Sequence, residues 1–199
     1  MMTRVGMIVA LAGVATMVAA LGFLHLARTG LSALRDPVSG YALTRYRSAY
    51  AVAAGAAAVT GVAVALLISQ IPGTGAAVGS LSAFAVARAL IPLFPMFPMD
   101  APGTARSVRG RAHSILATVA FATVTASAFL AWYPLAAAGE HLLSSVSLTA
   151  GALMAIGSVI VITGAAHPGP RRLFGLAERL IYLGFIGWFA AVAVVLGPA

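Results

Sequence analysis

Six long apolar runs follow one another along the chain, at roughly residues 5–26, 50–70, 75–97, 113–133, 142–165 and 174–197. A helix needs about 20 apolar residues to cross a hydrocarbon core of about 30 Å, and each run meets that length. None alternates apolar and polar positions as a barrel strand would, and lipid offers no partner for open backbone groups. The pattern predicts an all-α fold, an integral membrane bundle of six transmembrane helices with short loops. It forms a single transmembrane domain over residues 1–199. The first run follows Arg4 and could be read as a signal peptide. It exceeds the usual apolar core of about 7–15 residues and no convincing A-x-A cleavage site follows it, so a retained helix is expected.

The polar segments between the runs are unequal. Runs 2 and 3 are separated only by "QIPGTG", and runs 4 and 5 by roughly "PLAAAGEH". The connections after runs 1, 3 and 5 are longer and rich in arginine, and the first spans "ARTGLSALRDPVSGYALTRYRSAY". Alternating crossings put these three connections on one membrane face. That face carries Arg28, Arg35, Arg45, Arg47, Arg106, Arg109, Arg111, Arg171 and Arg172, whereas the other has Arg4, Glu140 and His141. The positive-inside rule would make the arginine face cytoplasmic. No connection is long enough to hold a core of its own.

Composition agrees with a membrane protein. The chain is 61% hydrophobic and 8% charged, against about 25% charged in soluble domains. All 12 basic residues are arginine, and their place at the ends of apolar runs points to the membrane edge rather than to nucleic acid. No cysteine is present, which excludes disulfides, thiolate metal sites and cysteine nucleophiles.

Small residues mark expected helix seams, because lipid-exposed helices associate by close packing. Run 3 places Gly75, Gly79, Ala83 and Ala87 four apart. Run 2 has Gly55, Ala58, Gly61 and Ala65, and run 5 has Gly151, Gly157 and Gly164. These fit a seam within the bundle or between two copies. Pro92, Pro95 and Pro98 should kink the end of run 3 and unwind it toward Asp100, beside a polar cavity or at simple termination.

Most of the chemistry shares the arginine face. His25 ends run 1, and Asp36, Ser39 and Tyr41 lie in the first connection. Asp100 follows run 3, His113 opens run 4, His167 follows run 5, and Glu178 and Arg179 lie in the first turns of run 6. If Thr104 caps a helix, Arg106, Arg109 and His113 form one stripe. Asp36 and Asp100 also fit as counter-charges to nearby arginines, Ser39 as the cap of a short interfacial helix, and His167 as a loop residue before Pro168. Arg88, inside run 3, needs a partner, and Asp100 and Glu178 are the candidates. No H-E-x-x-H, G-x-S-x-G or Walker pattern occurs.

"DPVSGYAL", "FPMD" followed by "GRAH", and "GLAERLIYLGFIGW", in that order and spacing, resemble the membrane family named domain of unknown function 998. The resemblance implies a prokaryotic multi-helix membrane protein. It carries over Ser39, Asp100, His113, Glu178 and Arg179 as family-like polar positions and supplies no reaction. It also implies cytoplasmic termini, opposite to the arginine bias. A looser likeness links Ser39, Asp100, His113 and His167 to membrane hydrolases related to alkaline ceramidases, although helix count and histidine spacing differ.

Three functions follow as expectations. The first is a non-catalytic protein that binds anionic lipid headgroups through Arg88, Arg106, Arg109 and Arg179, or that supports a membrane complex or homo-oligomer. The second is an intramembrane hydrolase or transferase acting on a lipid or lipid-linked substrate. It would use Asp100, His113, Glu178 and Ser39, with zinc on His113, Asp100 and His167. The third is a transporter of a small solute or lipid with Arg88 and Glu178 as buried charges. Its weakness is the lack of inverted repeats. The expected location is a multi-pass place in the cell membrane, here a prokaryotic inner membrane, with no nucleic-acid partner.

Overall fold

The computed structural model describes residues 2–96, 108–166 and 172–197. Six α-helices account for most of them: α1 (Met2–Leu26), α2 (Arg47–Ile68), α3 (Gly75–Leu90), α4 (Val108–Ala137), α5 (His141–Ala166) and α6 (Phe174–Leu196). All six are long and apolar enough to cross a membrane, which makes this a multi-pass membrane protein. Each helix packs on its chain neighbours. The last closes the ring by lying against α5 and α1 and reaching α2 and α4.

Two boundaries differ from the sequence expectation. The third helix does not run to residue 97. Its α geometry stops at Leu90 and tightens into a 3₁₀ turn, Ile91–Leu93, with Pro92 in its first positions. Proline has no N–H to give to the ladder and crowds the turn before it, so the α-helix ends two residues before the first of the three prolines. The fourth helix is longer than 113–133 at both ends: it is already helical at Val108, and it runs to Ala137 because Pro134 is accommodated inside it near the end. Asp100, Thr104, Arg106, His167 and Arg171 lie outside the described residues.

The two short hairpins are set by left-handed glycines, Gly73 at φ +85° and Gly139 at φ +86°, a region that other residues enter at a cost. In the first hairpin the Thr74 hydroxyl donates to Ile68 O or Ile71 O, at 2.7 and 2.8 Å, closing the turn. Hydrogen bonds then tie helix to helix: Ser127 Oγ to Ala77 O at 2.8 Å, Ser144 Oγ to Trp132 O at 2.9 Å, and Trp188 Nε1 to Ser147 Oγ at 2.7 Å.

The small-residue seams are only partly as expected. Gly61 sits against Phe84, Gly151 against Phe129, and Gly157 against Ala177 O and Ile181. Gly55, Gly75 and Gly79 face open space, so the ridge of run 3 does not form its inner seam at Gly75 and Gly79. The inward side of α3 is instead Ala77, Leu81, Phe84, Ala85, Ala87 and Arg88. Aromatic side chains fill the centre: Phe84 meets Phe185 and Phe189 edge to face, and those two rings are tilted against each other, with all centroids 5.5–5.6 Å apart.

Candidate functional site

The α1–α2 connection is a strap held across one end of the bundle. Its middle is a short 3₁₀ helix, Val38–Leu43, entered through Pro37. The residues Val38–Tyr41 are buried, although the strap is a loop. The first turns of α6 hold it in place. Leu176 N–H donates to Leu34 O at 3.0 Å, so a strap carbonyl satisfies a helix-start donor that has no partner in its own helix. Gly175 permits this approach. A Cβ there would stand 2.5 Å from Asp36 O and 2.8 Å from Ala33 O.

Glu178 and Arg179 are adjacent in the chain, yet they serve different partners because successive helix positions point about 100° apart. Glu178 turns inward and is 4% exposed. Its Oε2 accepts the Val38 N–H at 2.6 Å, at the start of the strap's 3₁₀ helix. Arg179 turns along the strap. Its Nη1 donates to Asp36 O at 3.0 Å and Gly175 O at 2.8 Å, its Nη2 to Tyr41 Oη at 3.4 Å, and its Nε to His25 Nε2 at 2.7 Å. His25 Nδ1 also lies 2.6 Å from Leu21 O. Only a neutral imidazole with its proton on Nδ1 satisfies both contacts. The Asp36 carboxylate accepts Ser32 N–H at 2.6 Å, which makes it a turn residue within the strap.

Ser39 does not cap the short helix. Its Oγ donates to Met96 Sδ at 3.2 Å, and no base contacts it among the described residues. His113 is 5% exposed, and its Nδ1 lies 2.7 Å from Phe94 O, which fixes the ring against the end of α3. Arg109 lies one turn before it and is exposed, so the expected stripe passes from the bundle rim to its interior within one turn. Among the described residues no group of three or more histidine, aspartate or glutamate side chains could hold a metal.

Arg88 is the most fully buried charged side chain among the described residues, at 1% exposure in the last turn of α3. Its guanidinium carbon lies 5.2 Å from the centroid of the Tyr182 ring, a cation–π contact. It is close enough to Tyr50, Tyr182, Glu178 and His113 to interact electrostatically with all four. Even so, its Nε and Nη2, and the Tyr50 Oη, have no hydrogen-bond partner among the described residues. Glu178 therefore does not meet either nitrogen, and the expected Arg88–Glu178 pairing is at most a longer-range attraction.

The sequence reading brought His25, Asp36, Tyr41, Glu178 and Arg179 to one face, and the structure joins them through the strap. It missed Tyr50 and Tyr182. The signal for Tyr182 was available: it follows Glu178 by four residues, so the two share a face of α6. Tyr50 opens the second apolar run and carried no such signal.

A family model described as protein of unknown function (DUF998) matches residues 10–195. Among curated proteins and solved structures there is no match.

Proposed function

The chain belongs to the DUF998 family, and we propose that it binds and organises anionic lipid at the arginine end of its bundle. The observation that carries this reading is charge segregation. Arg28, Arg35, Arg45, Arg47, Arg109, Arg111 and Arg172 are all exposed at that end. The acids there, among the described residues, are turned away: Asp36 closes a turn within the strap and Glu178 is buried. Among the described residues the exposed surface at that end is therefore strongly cationic. Each arginine near an anionic leaflet is worth up to about 1 kcal/mol. The location that fits is the cytoplasmic leaflet of a prokaryotic inner membrane.

The test is lipid competition. Wild-type protein in mixed bilayers is expected to retain phosphatidylglycerol over phosphatidylcholine by about tenfold or more, a preference that weakens with salt. Replacing Arg28, Arg35, Arg45 and Arg47 together by Gln should bring the ratio close to one. A single cysteine at exposed Leu34 or Ala138, in a chain that has none, reports orientation by labelling from either side. Equal retention of the two lipids by wild-type protein refutes the proposal.

One observation favours a second reading, an intramembrane hydrolase or transferase on a lipid-linked substrate. A buried His113 whose Nδ1 is engaged by a backbone carbonyl keeps Nε2 for a proton or a metal, as oriented catalytic histidines do. On this reading, pure protein carries stoichiometric zinc that His113→Ala loses. Metal analysis without zinc removes the zinc form of it.

A further inference from the structure

We infer that the bundle interior holds an oxyanion site at Arg88, taking a carboxylate or phosphate group between α2, α3 and α6. This goes beyond the exposed arginine collar, because Arg88 is 1% exposed and takes no part in that surface.

The geometry of the guanidinium selects the ligand. Its two unpartnered nitrogens are Nε and Nη2, which together form one edge of the planar group. Their N–H bonds run parallel, and that edge matches two oxygens of a single carboxylate or phosphate. Tyr50, 2% exposed and on α2, adds an O–H with no partner among the described residues. The Tyr182 ring lies 5.2 Å from the guanidinium carbon and leaves Nε and Nη2 without a hydrogen-bond partner among the described residues. Three donors on two helices thus lack an acceptor, in a place where water is scarce.

Leaving them so is costly. An unpaired cation and an unmet hydroxyl in an apolar interior each lose their hydration without return. The nearest described acid does not meet the need, since Glu178 Oε2 accepts from Val38 N–H. An anionic group from outside the chain supplies both charge and acceptors. Access is short: Arg88 is two residues, about 3 Å of helix, from the end of α3 and lies toward the polar end of the bundle. The group can therefore arrive on a lipid headgroup or as a free anion.

The experiment uses delipidated full-length protein in a neutral detergent. The probes are dihexanoylphosphatidylglycerol, inorganic phosphate and acetate, with sodium chloride as the control. At saturation at least one oxyanion should raise the melting temperature by about 2–4 °C or more. Arg88→Met should bind that probe at least about tenfold more weakly. Arg88→Lys, which keeps the charge but loses the edge, should weaken it comparably, and Tyr50→Phe by about threefold or more. Without probe, Arg88→Met should melt at or above wild type, because it removes a buried charge with two nitrogens that have no hydrogen-bond partner among the described residues.

Stabilisation by the lipid alone assigns a headgroup site. Stabilisation by phosphate or acetate assigns a free-anion site. The inference is overturned if no probe exceeds chloride, or if Arg88→Met and Arg88→Lys bind like wild type. It is also overturned if Arg88→Met and Asp100→Asn each lower the melting point and the double variant does no worse, since that assigns Arg88 to an internal ion pair. The collar variant with Arg28, Arg35, Arg45 and Arg47 replaced should still bind the probe, so the two proposals fail separately.

Discussion

Glu178→Ala is expected to destabilise the protein by about 2–4 kcal/mol and to free the strap over residues 27–46. The carboxyl oxygen accepts Val38 N–H at 2.6 Å in a place that water does not reach. A hydrogen bond to a charged group contributes about 1.5–3 kcal/mol, and its loss strands a buried backbone N–H. The cavity left by the side chain adds to the cost. Relief of the carboxyl's own desolvation works the other way and keeps the total below the sum of these terms. Glu178→Gln separates acceptor from charge. Its amide oxygen can still receive the Val38 N–H, so its loss should be about 1 kcal/mol or less. Unfolding in graded SDS measures the stabilities, and limited proteolysis within the strap reads its release. If Glu178→Gln is as damaging as Glu178→Ala, the negative charge beside Arg88 matters and the clasp does not.

Legibility followed the physics of the bilayer. Six crossings could be counted because apolar length is the one property lipid demands. The polar end could be located because ionisable groups are excluded from the rest. Helix faces could not be read in the same way. In water a buried face is apolar and an exposed one polar, but in lipid both are apolar, and periodicity carries little contrast. Gly75 and Gly79 show the consequence: their spacing reads as a seam, yet they face outward, while Arg88 on the same helix faces the core. The Glu178–Arg179 dipeptide read as a costly pair of charges. Its actual use, one residue gripping the start of the strap's 3₁₀ helix and the other bonding along the strap, depends on a loop about 140 residues earlier. No local pattern encodes that distance.

Gly175→Ala should remove about 2–3 kcal/mol, although the same exchange at open helix positions such as Gly22 and Gly79 should be harmless. Alanine is intrinsically favoured over glycine in a helix interior by about 1 kcal/mol, and the gain is smaller near a helix start. Against this, the new Cβ would lie 2.5 Å from Asp36 O, 2.8 Å from Ala33 O and 2.9 Å from Arg179 Nη1. Two of these three atoms are backbone, so no side-chain rotation relieves the contact. The strap must lift. Lifting lengthens Leu176 N–Leu34 O, now 3.0 Å, and Arg179 Nη1–Asp36 O, also 3.0 Å. Overpacking of this kind costs about 1–3 kcal/mol before the lost hydrogen bonds are counted. Gly79→Ala and Gly22→Ala are the controls, since nothing lies within 4 Å of a Cβ at either. Both should melt within about 0.5 kcal/mol of wild type or slightly above it. A Gly175→Ala protein that melts with the controls and resists protease in the strap would show that α6 does not hold the strap through this contact. The polar end would then owe its shape to Glu178 and Arg179 alone.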